Sequence, residues 1–257
     1  MLGGAGAAMV CGERLGAAML LAAALGVSPF QSGARATEDE DPTTLQFSGR
    51  DAWRNGIFAY SGFLYAPGGF ERDGFMLKLL MNGGVYRYWP GSMPGQEVRG
   101  AEWQLQILPG FRIKRGTAEM KFFFGAEWQK HWLWPDDPGN KLRGQNFGAR
   151  FAAELWCEPT AETLITGDAS LGTLSTSHSA RLAFGWRISG ELLNEEFFYL
   201  GPELQVFNSD GYRQRRIGMH ITSMKTGDIE WSAAIGYARD TDGHASPYFR
   251  LGLAQKL

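Results

Sequence analysis

The sequence predicts a transmembrane antiparallel β-barrel of about twelve strands, with ten as the alternative, behind a cleaved secretory leader. Three observations carry this. The first is the stretch 247–257 (PYFRLGLAQKL), where Phe249, Leu251, Leu253 and Leu257 share one face of a period-two pattern, interrupted only by Gln255. Tyr248, Arg250, Gly252, Ala254 and Lys256 share the other face. A membrane barrel needs such a strand at its end, because its last strand must pair with its first to leave no open edge. The second is the start, where Arg14 precedes the short apolar run 15–27 (LGAAMLLAAALGV) and Ala34-Arg35-Ala36 offers a small-residue cleavage site. The third is composition: 35 Gly, 9 Trp, 8 Tyr and 17 Phe, without a long apolar run after the leader.

The leader fixes the domain boundaries. Its apolar run falls short of the ~20 residues that a spanning helix needs. Cleavage is expected after about Ala36, so residues 1–36 are a signal peptide, 37–45 a disordered periplasmic segment and 46–257 the barrel. A net charge of −2 gives no reason to expect nucleic acid as a partner. Cys157 is the one cysteine after the leader, which leaves no internal disulfide, and it reads as a small residue at a strand end beside a Glu158-Pro159 turn.

The strands follow in order. Residues 47–53 and 57–66 flank Asn55-Gly56, a strong hairpin signal. After Pro67-Gly68-Gly69, Phe75, Leu77, Leu79 and Met81 alternate with Met76, Lys78 and Leu80 in a strand extending to Tyr88. Residues 89–100 form a loop. Ala101, Trp103, Leu105, Ile107, Pro109, Phe111 and Ile113 then alternate with Glu102, Gln104 and Gln106; beyond Arg115-Gly116, Met120, Phe122, Phe124, Ala126 and Trp128 alternate with Glu119, Lys121, Glu127 and Gln129. Helical spacing would mix these two sets, so the strand template is the better fit. Residues 131–144 are the longest predicted loop. Strands over 147–155, 163–171, 180–188, 197–207, 213–224, 229–237 and 247–257 complete the barrel. An even count puts both ends in the periplasm, with short turns there and longer loops outside, as in the outer membrane of a Gram-negative bacterium.

The second face of these strands collects Glu102, Glu119, Lys121, Glu127, Arg150, Glu154, Asp168, Arg181, Arg187, Glu203, Arg216, His220, Glu230 and Arg250. The signs are mixed, which suits a bracing charge network inside a mostly filled lumen more than a selective pore. Enzyme chemistry has one candidate, the segment 175–179 (STSHS) around His178. A nucleophilic hydroxyl needs its base and an orienting carboxylate on one face. Here Ala180 stands two residues after His178, and Ser179 points to the opposite face. No catalytic set, metal site or cofactor is therefore expected; His131, His220 and His244 have no ligand-like spacing.

The order of short motifs resembles a known family. Asp168–Gly172 precedes 173–178, then 180–187 (ARLAFGWR), Leu200-Gly201-Pro202-Glu203, 210–218 (DGYRQRRIG) and Ser246-Pro247-Tyr248. Tyr60-Ser61-Gly62, Asp73-Gly74-Phe75 and Tyr86-Arg87-Tyr88 fit the same pattern. Together they resemble the BcsS family of cellulose-biosynthesis accessory proteins over nearly the whole mature chain. The resemblance implies a role beside cellulose synthase, with outer-membrane lipid, cellulose and cellulose synthase or export components as partners, and implies no catalytic residues. Two functions are thus expected in competition. One is a non-enzymatic outer-membrane barrel assisting cellulose biosynthesis, export or surface anchoring, with Trp132, Trp134, Asp136 and Asp137 as glycan contacts; the competing assignment for the tryptophans is an interfacial aromatic girdle. The other is a lipid- or glycan-modifying barrel enzyme, similar to lipid A deacylases, centred on His178.

Overall fold

Period-two alternation runs through every strand of the computed structural model, which describes residues 42–189 and 197–257. The strands are β1 (Thr44–Trp53), β2 (Gly56–Tyr65), β3 (Gly74–Tyr88), β4 (Val98–Arg115), β5 (Ala118–Trp134) and β6 (Gly144–Thr160). They continue as β7 (Thr163–Gly172), β8 (His178–Ser189), β9 (Phe197–Ser209), β10 (Tyr212–Thr226), β11 (Ile229–Asp240) and β12 (Ala245–Lys256). Each pairs antiparallel with its sequence neighbours, and β1 pairs with β12 to close the barrel. The closing ladder runs from Leu45 opposite Lys256 to Trp53 opposite Tyr248. The expected twelve strands are present and the ten-strand alternative falls. The leader, its cleavage site and residues 37–41 lie outside the described residues. β1 starts at Thr44, two residues ahead of the expected boundary.

The two faces of each strand meet different surroundings. On β5, Met120, Phe122 and Phe124 point out while Lys121, Phe123 and Glu127 point in. On β11, Ile235 and Tyr237 point out while Ala234 and Ala238 are buried. The outer face carries exposed apolar side chains on every strand but β1, which presents Gln46, Ser48, Arg50 and Ala52: Phe124, Phe147, Leu182, Ile217 and Ile235 are each more than 55% exposed. Water does not sustain an apolar surface of that extent, whereas lipid does. Backbone polarity gives no obstacle, since a closed ladder leaves no unpaired edge.

Several predicted bounds need correction. The loop expected over 89–100 ends at residue 97, because β4 starts at Val98. The loop expected over 131–144 is shorter, because β5 continues to Trp134 and β6 starts at Gly144. The turn expected at Glu158-Pro159 sits at residues 161–162 instead. Proline is tolerated on β6 because the β6–β7 register shifts between Cys157 and Thr160, where the ladder asks for no amide from Pro159. Finally, the strands do not share a length near ten: β4, β5 and β6 have 18, 17 and 17 residues. Such strands exceed the ~9–11 residues that cross a bilayer, so this side of the barrel stands proud of it.

Candidate functional site

The barrel has two unlike ends. One, the base, carries the C-terminus, the segment 66–73 and the tight turns at 116–117, 161–162 and 227–228. The other, the mouth, carries the loops 89–97, 135–143, 173–177 and 241–244. Between them the lumen holds a cavity of about 1130 Å³.

Charged side chains from nearly every strand pair across the middle of this lumen. Glu203, fully buried on β9, accepts bonds from Tyr248 Oη at 2.8 Å and Arg250 at 2.5 Å, with Arg181 at 3.7 Å. Arg216 on β10 grips Asp51 on β1 through both guanidinium nitrogens, at 2.5 and 2.9 Å. Arg150 meets buried Glu127 at 2.6 Å, and Lys121 bridges Glu119 at 2.8 Å to Glu154 at 3.7 Å. Lys78 also pairs with Glu154. These contacts form the bracing network expected from the sequence, with Lys78 and Asp51 added to it, but the cavity of about 1130 Å³ shows that the lumen is not mostly filled, as the sequence led us to expect. The signal for Lys78 was its place opposite Leu77 and Leu79 in the alternation; Asp51 shows its partner only once the register is known.

An apolar plug fills one side of the base. Leu64, Met76, Leu108 and Phe123 point inward from β2 to β5 and bury Phe70 and Ala66 of the incoming segment. Arg112, only 1% exposed, donates from Nη2 to the Gly69 carbonyl at 2.8 Å and from Nε to the Arg72 carbonyl at 2.9 Å. Lys114 Nζ donates to Glu71 at 2.6 Å, its backbone N–H donates to Asp73 at 2.6 Å, and Arg115 donates to Asp73 at 2.5 Å. These bonds hold the Glu71 and Asp73 carboxyls below the usual carboxylate range; for Glu71 the Lys114 bond is the main cause, for Asp73 the Lys114 amide.

Aromatic rings line the mouth. On one side Phe58 stacks with Tyr86 at 6.4 Å and Tyr86 with Tyr88 at 6.0 Å. On another Tyr212 lies 6.2 Å from Trp53 and 6.3 Å from Phe207. Trp89, on the loop after β3, packs on His244 at 5.1 Å. Two rings lie flat on the wall because glycine faces them: a Cβ at Gly84 would strike Phe58, and one at Gly100 would strike Tyr86. Amide and hydroxyl groups of Asn55, Ser92, Asn140 and Gln214 stand among the rings.

The four predicted glycan contacts do not form one site. Trp132 and Trp134 continue the outward face of β5, 37% and 53% exposed, with Lys130 Nζ 4.8 Å from the Trp132 ring centre. Asp136 is exposed and pairs with Arg143 at 2.7 Å. Asp137 points inward and is buried, accepting from Tyr88 Oη at 2.8 Å, Ser92 Oγ at 3.0 Å and the Gly139 amide at 3.0 Å. It staples one loop to another.

His178 opens β8 on the outer face, beside the Thr176 carbonyl and Asn208 at 3.3 Å each. Ser179 points inward and bonds Ser170 at 3.0 Å. The hydroxyl and imidazole thus occupy opposite faces and cannot act as nucleophile and base together. Asp240 at the end of β11, with Asp242 and His244 on the loop that follows, brings three potential ligand atoms within 4.8 Å of one another. The Asp240 carboxylate is already engaged by the His244 amide at 2.8 Å and by Asn55 at 3.3 Å. Desolvation, and then the Asp240 charge, raises the Asp242 carboxyl.

Closed ladder, apolar girdle and charge-braced lumen define a transmembrane β-barrel of the outer-membrane type. The family model for the cellulose biosynthesis protein BcsS matches residues 45–257, and the chain belongs to that family. No curated protein sequence matches the chain. Among solved structures, LpxR from Salmonella typhimurium is similar at a TM-score of 0.50 and 8% identity, covering 84% of this chain and 100% of that one. The translocator domain of the autotransporter NalP from Neisseria meningitidis is similar at 0.48 and 11%, covering 96% of each. The COG4313 outer membrane channel from Pseudomonas putida F1 is similar at 0.48 and 9%, covering 88% and 99%. At such identities the likeness is one of fold.

Proposed function

We propose that this chain is a non-enzymatic barrel of the Gram-negative outer membrane that assists cellulose biosynthesis by helping to export or anchor the glucan at the cell surface. The observation that carries the reading is the family match across the entire barrel, which ties the fold to cellulose production. The apolar girdle supports residence in a bilayer, and the longer loops at the mouth support an outward orientation. The separation of His178 from Ser179 favours an accessory role over a deacylase-like one. Cellulose synthase or export components are the partners this role calls for. Trp132 and Trp134, on the lipid side near the mouth, suit an interfacial girdle; Trp134 with Asp136 is the part of the predicted quartet still free to meet glucan outside.

The test is a deletion strain and its parent, fractionated, with cellulose measured on the surface and within the envelope. Barrel protein in the outer membrane, and glucan lost from the surface or retained in the periplasm after deletion, is the expected result. Normal cellulose with altered lipid A would overturn it in favour of the enzyme. Replacing Trp132 and Trp134 with Ala should lower glucan retention if the rim touches the polymer; unchanged retention would assign both rings to the girdle.

A further inference from the structure

We infer that the mouth of the lumen is a binding site for a short segment of neutral, β-linked glucan. This rests on the proposed function for the identity of the polymer, but the site itself is argued from the cavity. Ligand pockets combine apolar walls with a few polar groups that fix orientation, at volumes of roughly 300–1,000 Å³. The lumen, at about 1130 Å³, exceeds that range and has room for several sugar rings in a row rather than one.

The lining matches the two surfaces of a pyranose. Its flat faces are C–H rich and pack on aromatic rings, and its rim of equatorial hydroxyls seeks donors and acceptors. The mouth offers Phe58, Tyr86, Trp89 and Tyr212 for the first, and Asn55, Asn140 and Gln214 for the second. The rings are preorganised: Gly84 and Gly100 seat Phe58 and Tyr86 flat, and Asp137 ties Tyr88 to the loops above. Ordering those side chains therefore costs little when a ligand arrives.

Charge decides which polysaccharide fits. The cavity lining carries nine carboxylates and six cationic side chains, and most of the cations are held by carboxylates in the pairs described above. A lumen with an acidic excess repels uronate and phosphate polymers, and a narrow, low-dielectric space strengthens that repulsion. A neutral glucan pays no such penalty.

The experiment is calorimetric titration of the purified full-length barrel in detergent with cellohexaose, and with an oligogalacturonate of equal length. Saturable binding of cellohexaose and none of the uronate is expected. Trp89→Ala and Tyr212→Ala should each weaken binding by at least about tenfold, while Leu182→Ala and Ile217→Ala, on the lipid-facing side, should leave it unchanged. Retention of heat-modifiable gel migration in each variant shows that the barrel is still closed. No saturable binding by closed wild-type barrel, tighter binding of the uronate, or full affinity in the closed Trp89 and Tyr212 variants would each overturn the site. A cellulose defect on deletion combined with no cellohexaose binding removes the site and leaves the proposed function; binding with normal cellulose does the reverse.

Discussion

Arg112 and Glu203 show how single buried charges hold this barrel. Arg112 is sealed beneath Phe70, whose ring centre lies 5.7 Å away, and two backbone carbonyls are its anchors. Hydrogen bonds to a charged donor are worth about 1.5–3 kcal/mol each when made, so Arg112→Ala should lower stability by roughly 2–4 kcal/mol. The urea midpoint of unfolding from lipid vesicles reads this, and a midpoint equal to wild type would contradict it. Glu203 faces Arg250, Arg181 and Tyr248 with no exposure to solvent. Glu203→Gln keeps the shape but strands Arg250, at a cost of about 3–5 kcal/mol, while Arg181 keeps Asp168 at 3.0 Å. It should unfold at lower urea than Arg181→Gln, whose removal still leaves Glu203 paired with Arg250.

At the scale of elements, segment 66–73 behaves as a unit because its anchors are ionic. The Glu71 and Asp73 carboxyls are held below their ordinary range, so they contribute stability above the unfolded-state pKa and lose it as pH falls through the folded-state one. Their contribution is complete at neutral pH and disappears on acidification below about 4. A nitroxide attached at Gly68→Cys, where nothing lies within 4 Å of an added Cβ, should gain mobility between pH 7 and pH 3. With Cys157 replaced by Ser, an unchanged line shape would show that Phe70 packing alone holds the segment. The strands themselves were legible because a side-chain period of two needs no tertiary information: Phe249, Leu251 and Leu253 declare one face wherever the strand ends up. The alternation through Trp128, Lys130, Trp132 and Trp134 continues past the point where tryptophans near Pro135 read as a loop, and following parity would have placed both rings outside. The mouth was not legible. Trp53, Phe58, Tyr86 and Tyr212 come from four strands, and only the register that sets Gly84 opposite Phe58 and Gly100 opposite Tyr86 brings them to one rim.

The whole molecule needs lipid around its girdle and water at both ends. Ile235, seventh of twelve residues in β11 and 63% exposed, faces outward near mid-height. Ile235→Lys should cost about 2–4 kcal/mol in a bilayer, where a midplane cation is unsatisfied. In urea refolding experiments Arg239→Lys, near the mouth, should cost almost nothing by comparison. Orientation is the central claim, since the mouth can meet surface glucan only if it faces outward. The most direct measurement is labelling of intact cells with a membrane-impermeant maleimide after placing a cysteine at Gln96→Cys, on the loop between β3 and β4, or at Ala161→Cys, in the turn between β6 and β7, with Cys157 alone as background. Labelling is expected at position 96 in intact cells and at position 161 only after the outer membrane is opened. Labelling of 161 in intact cells with 96 protected would contradict the outward orientation and turn the aromatic mouth toward the periplasm.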